Sequence, residues 1–327
     1  MSAFNFKSYL ESHINITEIC ITHKNIYLLP LLVNFTNLKK INCMYNDLTT
    51  LPKLPENLEE LYCGCNDITI LPKLPRNLKI LHCEQNKLTS LPELPENLKE
   101  LICYINHIVL LPELPESLTH LHCGSNKMTT ISELPKNLEE LYCDINNIDI
   151  LPKLPNKLKK IVCEYNNITL LPELPESLTY LSCGYNKLII SPKLPDNLEI
   201  LNYHCNQLTR LPKLPENLKS LCCGVNQLIY LPDLPESLKL FEYDNNPIYN
   251  IISVTSLPEI KMKIRVLNRV QHLILSLKYK KQFRHLLWVK VRLPKIKDKY
   301  HPDNLKELLD AVCDDDEDGF DKAIDTW

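Results

Sequence analysis

Nine cysteines of this 327-residue chain fall at one place in a fixed 20-residue spacing: Cys43, Cys63, Cys83, Cys103, Cys123, Cys143, Cys163, Cys183 and Cys223. Thiols in a row invite disulfide formation, metal ligation or redox switching. On neighbouring strands they would stack about 4.8 Å apart. A line of that kind does not converge on one point, as a tetrahedral metal site requires. The start, "MSAFNFKSYLESHIN", carries no basic region followed by an apolar run, so no secretory signal is visible. An intracellular chain keeps its thiols reduced. The row therefore reads as small hydrophobes filling a narrow core, with burial raising each thiol pKa and quenching its reactivity. Cys65, Cys205 and Cys222 fall at outward-facing places with nothing nearby to activate them. His82 and His122 stand two repeats apart, about 10 Å, too far to share a metal. No Ser/His/Asp or Cys/His constellation and no glycine-rich phosphate loop appears, so the chain reads as non-enzymatic, with neither metal nor cofactor.

The elements that carry these residues follow from the repeat, which has the form LxxLxCxxNxLxxLPxLPxx. Its asparagine recurs without loss at Asn46, Asn66, Asn86, Asn106, Asn126, Asn146, Asn166, Asn186, Asn206, Asn226 and Asn246. A degenerate unit precedes these, with Ile16, Ile19 and Ile21 at its apolar places and a spacing of 22 residues to the next. Within LxxLxC the last three places alternate apolar, variable, apolar, the period of a strand with one buried face. The asparagine comes where the chain leaves the strand. Buried there, its amide needs partners, which the backbone of its own and the next turn can supply as a ladder. Two prolines in "LPELP" forbid a helix in the second half and leave an extended or polyproline-II return arc. The expected fold is a β-rich solenoid: a parallel concave sheet, an extended convex side and a small C-terminal helical module. Domain boundaries are expected as an N-terminal cap over 1–15, the solenoid over 16–250, a helical cap over 251–313 and an acidic disordered tail over 314–327.

The LxxLxxN pattern resembles the leucine-rich-repeat signature. The 20-residue form with "LPxLPxxL", over residues 38–250, closely resembles the repeats of bacterial effectors delivered into host cells by type III secretion. The ending "LLWVKVRLPKIKDKYHPDNLKELL" (286–309) looks like the closing segment of repeat proteins from giant DNA viruses of amoebae. The first resemblance implies a protein-binding solenoid. It also implies an alternative, since some such effectors carry a ubiquitin-ligase domain after the repeats, with a cysteine in a C-x-D motif. "CDDD" at Cys313 has those letters, but fewer than about 80 residues follow the repeats and neighbouring acids raise a thiol pKa.

A solenoid of this kind generally binds through its concave strand face. Expected there are Tyr62, His82, Ile102, Tyr104, His122, Tyr142, Tyr165, Tyr180 and Tyr185, an aromatic centre flanked by acids. Tyrosine is over-represented in protein interfaces, so a protein partner, from a host or a virus, fits this surface best. Exposed strand places also favour tyrosine for reasons of packing alone. The acidic flanks argue against nucleic acid there.

The net charge of −3 hides a segregation. Residues 1–250 carry 22 basic and 28 acidic side chains, residues 251–300 carry 13 and 2, and residues 301–327 carry 2 and 10. Helical periodicity begins near Ile260, with a second helix expected from Phe283 to about Val291, stopped by Pro294, and a third from near Pro302. These helices read as the cap that a solenoid's last coil needs. The basic stretch 261–299 is alternatively a patch for an anionic partner or nucleic acid. No run approaches the roughly 18 apolar residues of a membrane span, so the expected place is inside a cell.

Overall fold

The computed structural model describes residues 15–252 and 256–299. The expected N-terminal cap (save Asn15), the third helix from Pro302, the acidic tail and Cys313 lie outside the described residues. The chain divides into two units between Ile264 and Arg265.

In the first unit, twelve strands of three residues form one parallel sheet in sequence order. They run from β1 (Glu18–Cys20) and β2 (Lys40–Asn42) through β3 (Glu60–Tyr62), β4 (Ile80–His82), β5 (Glu100–Ile102), β6 (His120–His122) and β7 (Glu140–Tyr142). There follow β8 (Lys160–Val162), β9 (Tyr180–Ser182), β10 (Ile200–Asn202), β11 (Ser220–Cys222) and β12 (Leu240–Glu242). Pairing advances by one repeat per strand, so that Leu121 lies beside Leu141. At β1 the partners Ile19 and Ile41 absorb the longer first spacing. The middle residue of each strand and the cysteine after it point inward. With the leucines of the return arc, such as Leu111, Leu114 and Leu118, they make one continuous core.

Each coil leaves its strand through a residue with φ between 50° and 56°, from Tyr45 to Asn245, and none of the eleven is glycine. This left-handed conformation costs an L-residue roughly 1–2 kcal/mol. It persists because it aims the next side chain, the repeat asparagine, into the interior. There Asn106 donates through Nδ2 to the carbonyls of Cys103 at 3.1 Å and of Cys83, one coil earlier, at 3.0 Å. Its Oδ1 accepts from the Leu88 N–H at 3.0 Å. The same set recurs from Asn46 to Asn246. The ladder thus joins each coil to the preceding one, the reverse of the expected direction. A second, outer ladder accompanies it: the residue before the "NL" or "SL" leucine reaches one coil back, as Asn137 Nδ2 does to the Glu116 carbonyl at 2.8 Å.

At two places the core departs from the consensus together. Tyr203 replaces a ladder cysteine and is fully buried, while Ser191 replaces a return-arc leucine. Their hydroxyls meet at 2.7 Å. The phenol occupies the space the leucine vacates and finds its hydrogen bond there. After β12 the core closes on α1 (Tyr249–Ile252) and the start of α2 (Leu257–Leu287), which contribute Ile252, Ile260 and Ile264. The Lys263 ammonium donates to the Ile252 carbonyl at 2.7 Å.

In the second unit the expected break between two helices is absent. α2 runs through to Leu287 and continues as a π-helical turn, Trp288–Arg292, into α3 (Leu293–Lys299). Pro294 does not stop the helix. The turn before it widens, with the Leu293 N–H bonded to the Trp288 carbonyl, and this gives the proline ring room against a carbonyl it cannot satisfy.

Candidate protein-binding face

The outward side of the sheet carries three columns, contributed by the first and third residues of each strand and by the second residue after it. In the third column four positions are glycine: Gly64, Gly124, Gly184 and Gly224. One repeat later stand Glu84, Asp144, His204 and Asp244; the three acids lean back over Gly64, Gly124 and Gly224, whereas Gly184 faces the His204 carbonyl and the Asn202 side chain. A methyl group on Gly64 would lie 2.6 Å from the Glu84 carboxyl, and one on Gly124 would lie 2.7 Å from Asp144 Oδ1. Sheltered in its notch, Glu84 is 5% exposed, and its Oε2 has no hydrogen-bond partner. Burial raises the pKa of both carboxyls, Glu84 and Asp144. Neither notch stood out in the sequence, although a glycine one repeat before an acid is the signal that marks it.

The expected binding residues fall into three groups rather than one centre. In the first, the Tyr62 hydroxyl donates to Glu60 Oε2 at 3.0 Å, and its ring meets His82 edge-on at 4.7 Å. His82 Nε2 lies 2.9 Å from Glu100 Oε1. Desolvation, then the Glu60 hydrogen bond, pushes the Tyr62 pKa up to about 12, so the phenol keeps its proton. Ile102 separates this group from the second, as the strand partner of both His82 and His122.

In the second group His122 packs on Tyr142 with centroids 3.9 Å apart. Burial lowers the His122 pKa and favours the neutral ring. The Tyr142 hydroxyl donates to Glu140 Oε2 at 3.2 Å. Lys160 Nζ lies 4.9 Å from the Tyr142 ring and 4.8 Å from that of Tyr180, a cation shared by two aromatics that sequence reasoning had not singled out.

The third group stands apart, on the ridge of left-handed residues. Tyr165 and Tyr185 stack at 4.1 Å and 9°, and His204 borders Tyr185 at 5.4 Å. Tyr165 is therefore not beside Tyr142 on the strand face. Tyr104 sits half-buried in the third column, its pKa raised chiefly by desolvation. Glu164 is fixed between these groups, accepting from the Ser182 hydroxyl and from Asn202 Nδ2.

The cysteine row lies wholly inside. Its nine members are buried, and desolvation pushes Cys43 and Cys103 up to about 12 and others higher. Cys65, Cys205 and Cys222 are half-buried, and Cys20 is exposed. All thirteen cysteines among the described residues are free thiols. Among those residues no three His, Cys, Asp or Glu side chains converge as a metal site, and no helix is long and apolar enough to cross a membrane.

Neither a family model nor a curated protein matches the chain. Solved structures do. YopM from Yersinia enterocolitica shares 31% identity at a TM-score of 0.54, over 70% of this chain and 60% of that one. The leucine-rich effector YopM from Yersinia pestis shares 30% identity at 0.53, over 73% of this chain and 81% of that one. The chain is a leucine-rich-repeat protein. Another leucine-rich-repeat likeness is the functional domain of InlJ from Listeria monocytogenes, at 26% identity and a TM-score of 0.55, over 71% of this chain and 58% of that one. That domain is described as including a cysteine ladder. The present leucine-rich-repeat chain spans 60% of the first of these proteins. None of these structures bears on the likeness of residues 286–309 to viral repeat proteins.

Proposed function

We propose that this leucine-rich-repeat chain acts without catalysis, inside a cell, binding another protein, of a host or a virus, through the strand face from β3 to β9. The observation that carries this reading is the group His122, Tyr142, Lys160 and Tyr180. Two aromatic rings share one cation on a sheet whose backbone is fixed on both sides, and the core does not need them. Rigid amphipathic side chains of this kind form interface hot spots because little entropy is lost in ordering them. Along the same face the carboxylates of Glu60, Glu100 and Glu140 already hold the polar tips of Tyr62, His82 and Tyr142.

The test is a partner captured by crosslinking in cells and then titrated against purified variants. Tyr142→Ala with Tyr180→Ala weakens that partner by at least about 2 kcal/mol, roughly 30-fold in Kd, with the fold intact. Charge reversal at Glu93, Glu113 or Glu173, exposed on the return arc, changes it little. If the tyrosine variant keeps its partner while Lys278→Gln, Lys280→Gln and Lys281→Gln together release it, the strand face is not the binding site.

A further inference from the structure

The binding face leaves α2 beyond Ile264 without a task, and that part of the helix is unusual. Residues 265–297 hold ten Lys and Arg and no Asp or Glu. They also expose large apolar side chains. Val266, Leu267, Val270, Leu273, Ile274 and Leu277 are between 37% and 60% exposed. At 3.6 residues per turn these six fall in one stripe about 120° wide. Tyr279, Phe283, Leu286 and Leu287, 38–65% exposed, form a second stripe roughly 150° round the helix from the first. Leu275, 44% exposed, also falls beside the second stripe, so the apolar surface occupies two sides of a strongly cationic helix and shifts from one toward the other along it.

Whatever covers it must be anionic, must carry apolar groups and must pass from one side of the helix to the other. A second copy of the helix would set ten cations against ten. A flat bilayer engages one side of a helix lying on it. A nucleic acid matches the charge but offers nothing to two apolar stripes. The chain itself meets all three conditions. Residues 301–327 hold ten Asp and Glu against two Lys, interspersed with Leu305, Leu308, Leu309, Val312, Phe320 and Ile324. The 28 residues after Lys299 reach up to about 90 Å when extended, against roughly 35 Å for the 265–287 part of α2.

We propose that the acidic segment 301–325 packs along the basic, apolar surface of residues 265–297 in the same chain. Its carboxylates meet the Lys and Arg side chains, its leucines enter the stripes, and other anionic ligands are thereby kept off.

The test uses the full chain. Equal amounts of isotopically light and heavy protein are mixed, treated with a zero-length carbodiimide crosslinker and read by peptide mass spectrometry. Links are expected from Lys278, Lys280, Lys281 or Lys290 to carboxylates of 303–325, within single chains, and at least about fivefold fewer in 1 M salt, where charges are screened beyond about 3 Å. A variant with Asp314, Asp315, Asp316 and Asp318 changed to Asn and Glu317 to Gln should lose most of these links. It should also bind a hydrophobic dye and phosphatidylserine-containing vesicles several-fold better than the parent. Mixed-isotope links would overturn the proposal in favour of a second copy. Absence of links, with parent and variant binding vesicles equally, would overturn it in favour of an open surface.

Discussion

Asn106 offers the sharpest test of the interior ladder. Changing it to alanine removes an acceptor and both amide hydrogens, but the losses are unequal. The Cys83 carbonyl keeps the Asn86 amide at 3.2 Å, and the Cys103 carbonyl keeps the Asn126 amide at 3.0 Å. The Tyr104 carbonyl keeps the Gln85 N–H at 2.9 Å. Leu88 N–H, whose acceptor was Asn106 Oδ1, loses it in a buried setting. An orphaned buried donor costs about 1–3 kcal/mol, and each lost amide contact adds roughly 0.5–1.5 kcal/mol at most. Asn106→Ala should therefore destabilise by about 2–4 kcal/mol, roughly a 1 M fall in the urea midpoint for a slope near 3 kcal/mol/M. Asn106→Asp separates the two halves of the interaction. It retains the acceptor for Leu88 but turns a second oxygen toward three carbonyl oxygens, so it should be worse than alanine despite its near-identical shape. Equilibrium urea unfolding followed by far-UV circular dichroism, with Glu113→Ala as an exposed control, measures both. Aspartate tolerated as well as or better than alanine, or alanine costing less than about 0.5 kcal/mol, would refute the donor role assigned to the ladder.

Three further outcomes follow from the same geometry. Tyr203→Cys and Ser191→Leu should each destabilise, by a cavity and by a clash, while the double variant restores the consensus pair; a double-mutant cycle should show a coupling of at least about 1 kcal/mol, and strict additivity would deny the compensation. Glu84 ionises against its burial, so its contribution is most favourable below the unfolded value near 4.3 and is lost as pH rises through its raised folded pKa. Glu84→Gln should therefore stabilise at pH 7, and the gain should shrink toward pH 4; a gain independent of pH would contradict this. Cys20 and Cys205 should react with a maleimide before the buried row, whereas Cys222, pushed up to about 12 by burial and then by Glu242, holds over a thousandfold less thiolate than an ordinary thiol and should lag until Glu242→Gln frees it.

The strands, their register and the inward asparagine were legible because each is dictated by a period: two along the strand and twenty along the chain. The sequence did not reveal the left-handed residue in every coil, because isoleucine, valine and tyrosine stand there where glycine would have marked it. Nor did it show which side chains meet. Tyr142 and Tyr165 look equivalent as exposed tyrosines, yet one belongs to the strand face and the other to the ridge. Pro294 reads in the sequence as a helix stop, since a widened turn that accommodates a proline leaves no trace in residue type.

The cysteine carbonyl that serves both its own asparagine and that of the following coil has a genetic consequence. Inside the core most coils can stand beside one another, because the polar contacts that pass between them there are backbone and one invariant amide. Copying or losing a whole unit by unequal recombination leaves every amide with a carbonyl, while gaining a single residue strands amides in two coils. Copy number is thus free to drift, and surface columns can be shuffled as it does. Tyr203 and Ser191 are an exception inside the core, as the glycine notches are on the face: they sit in adjacent coils, so a crossover falling between them sets tyrosine against leucine. Such a breakpoint should be selected against, and the two residues should be inherited together.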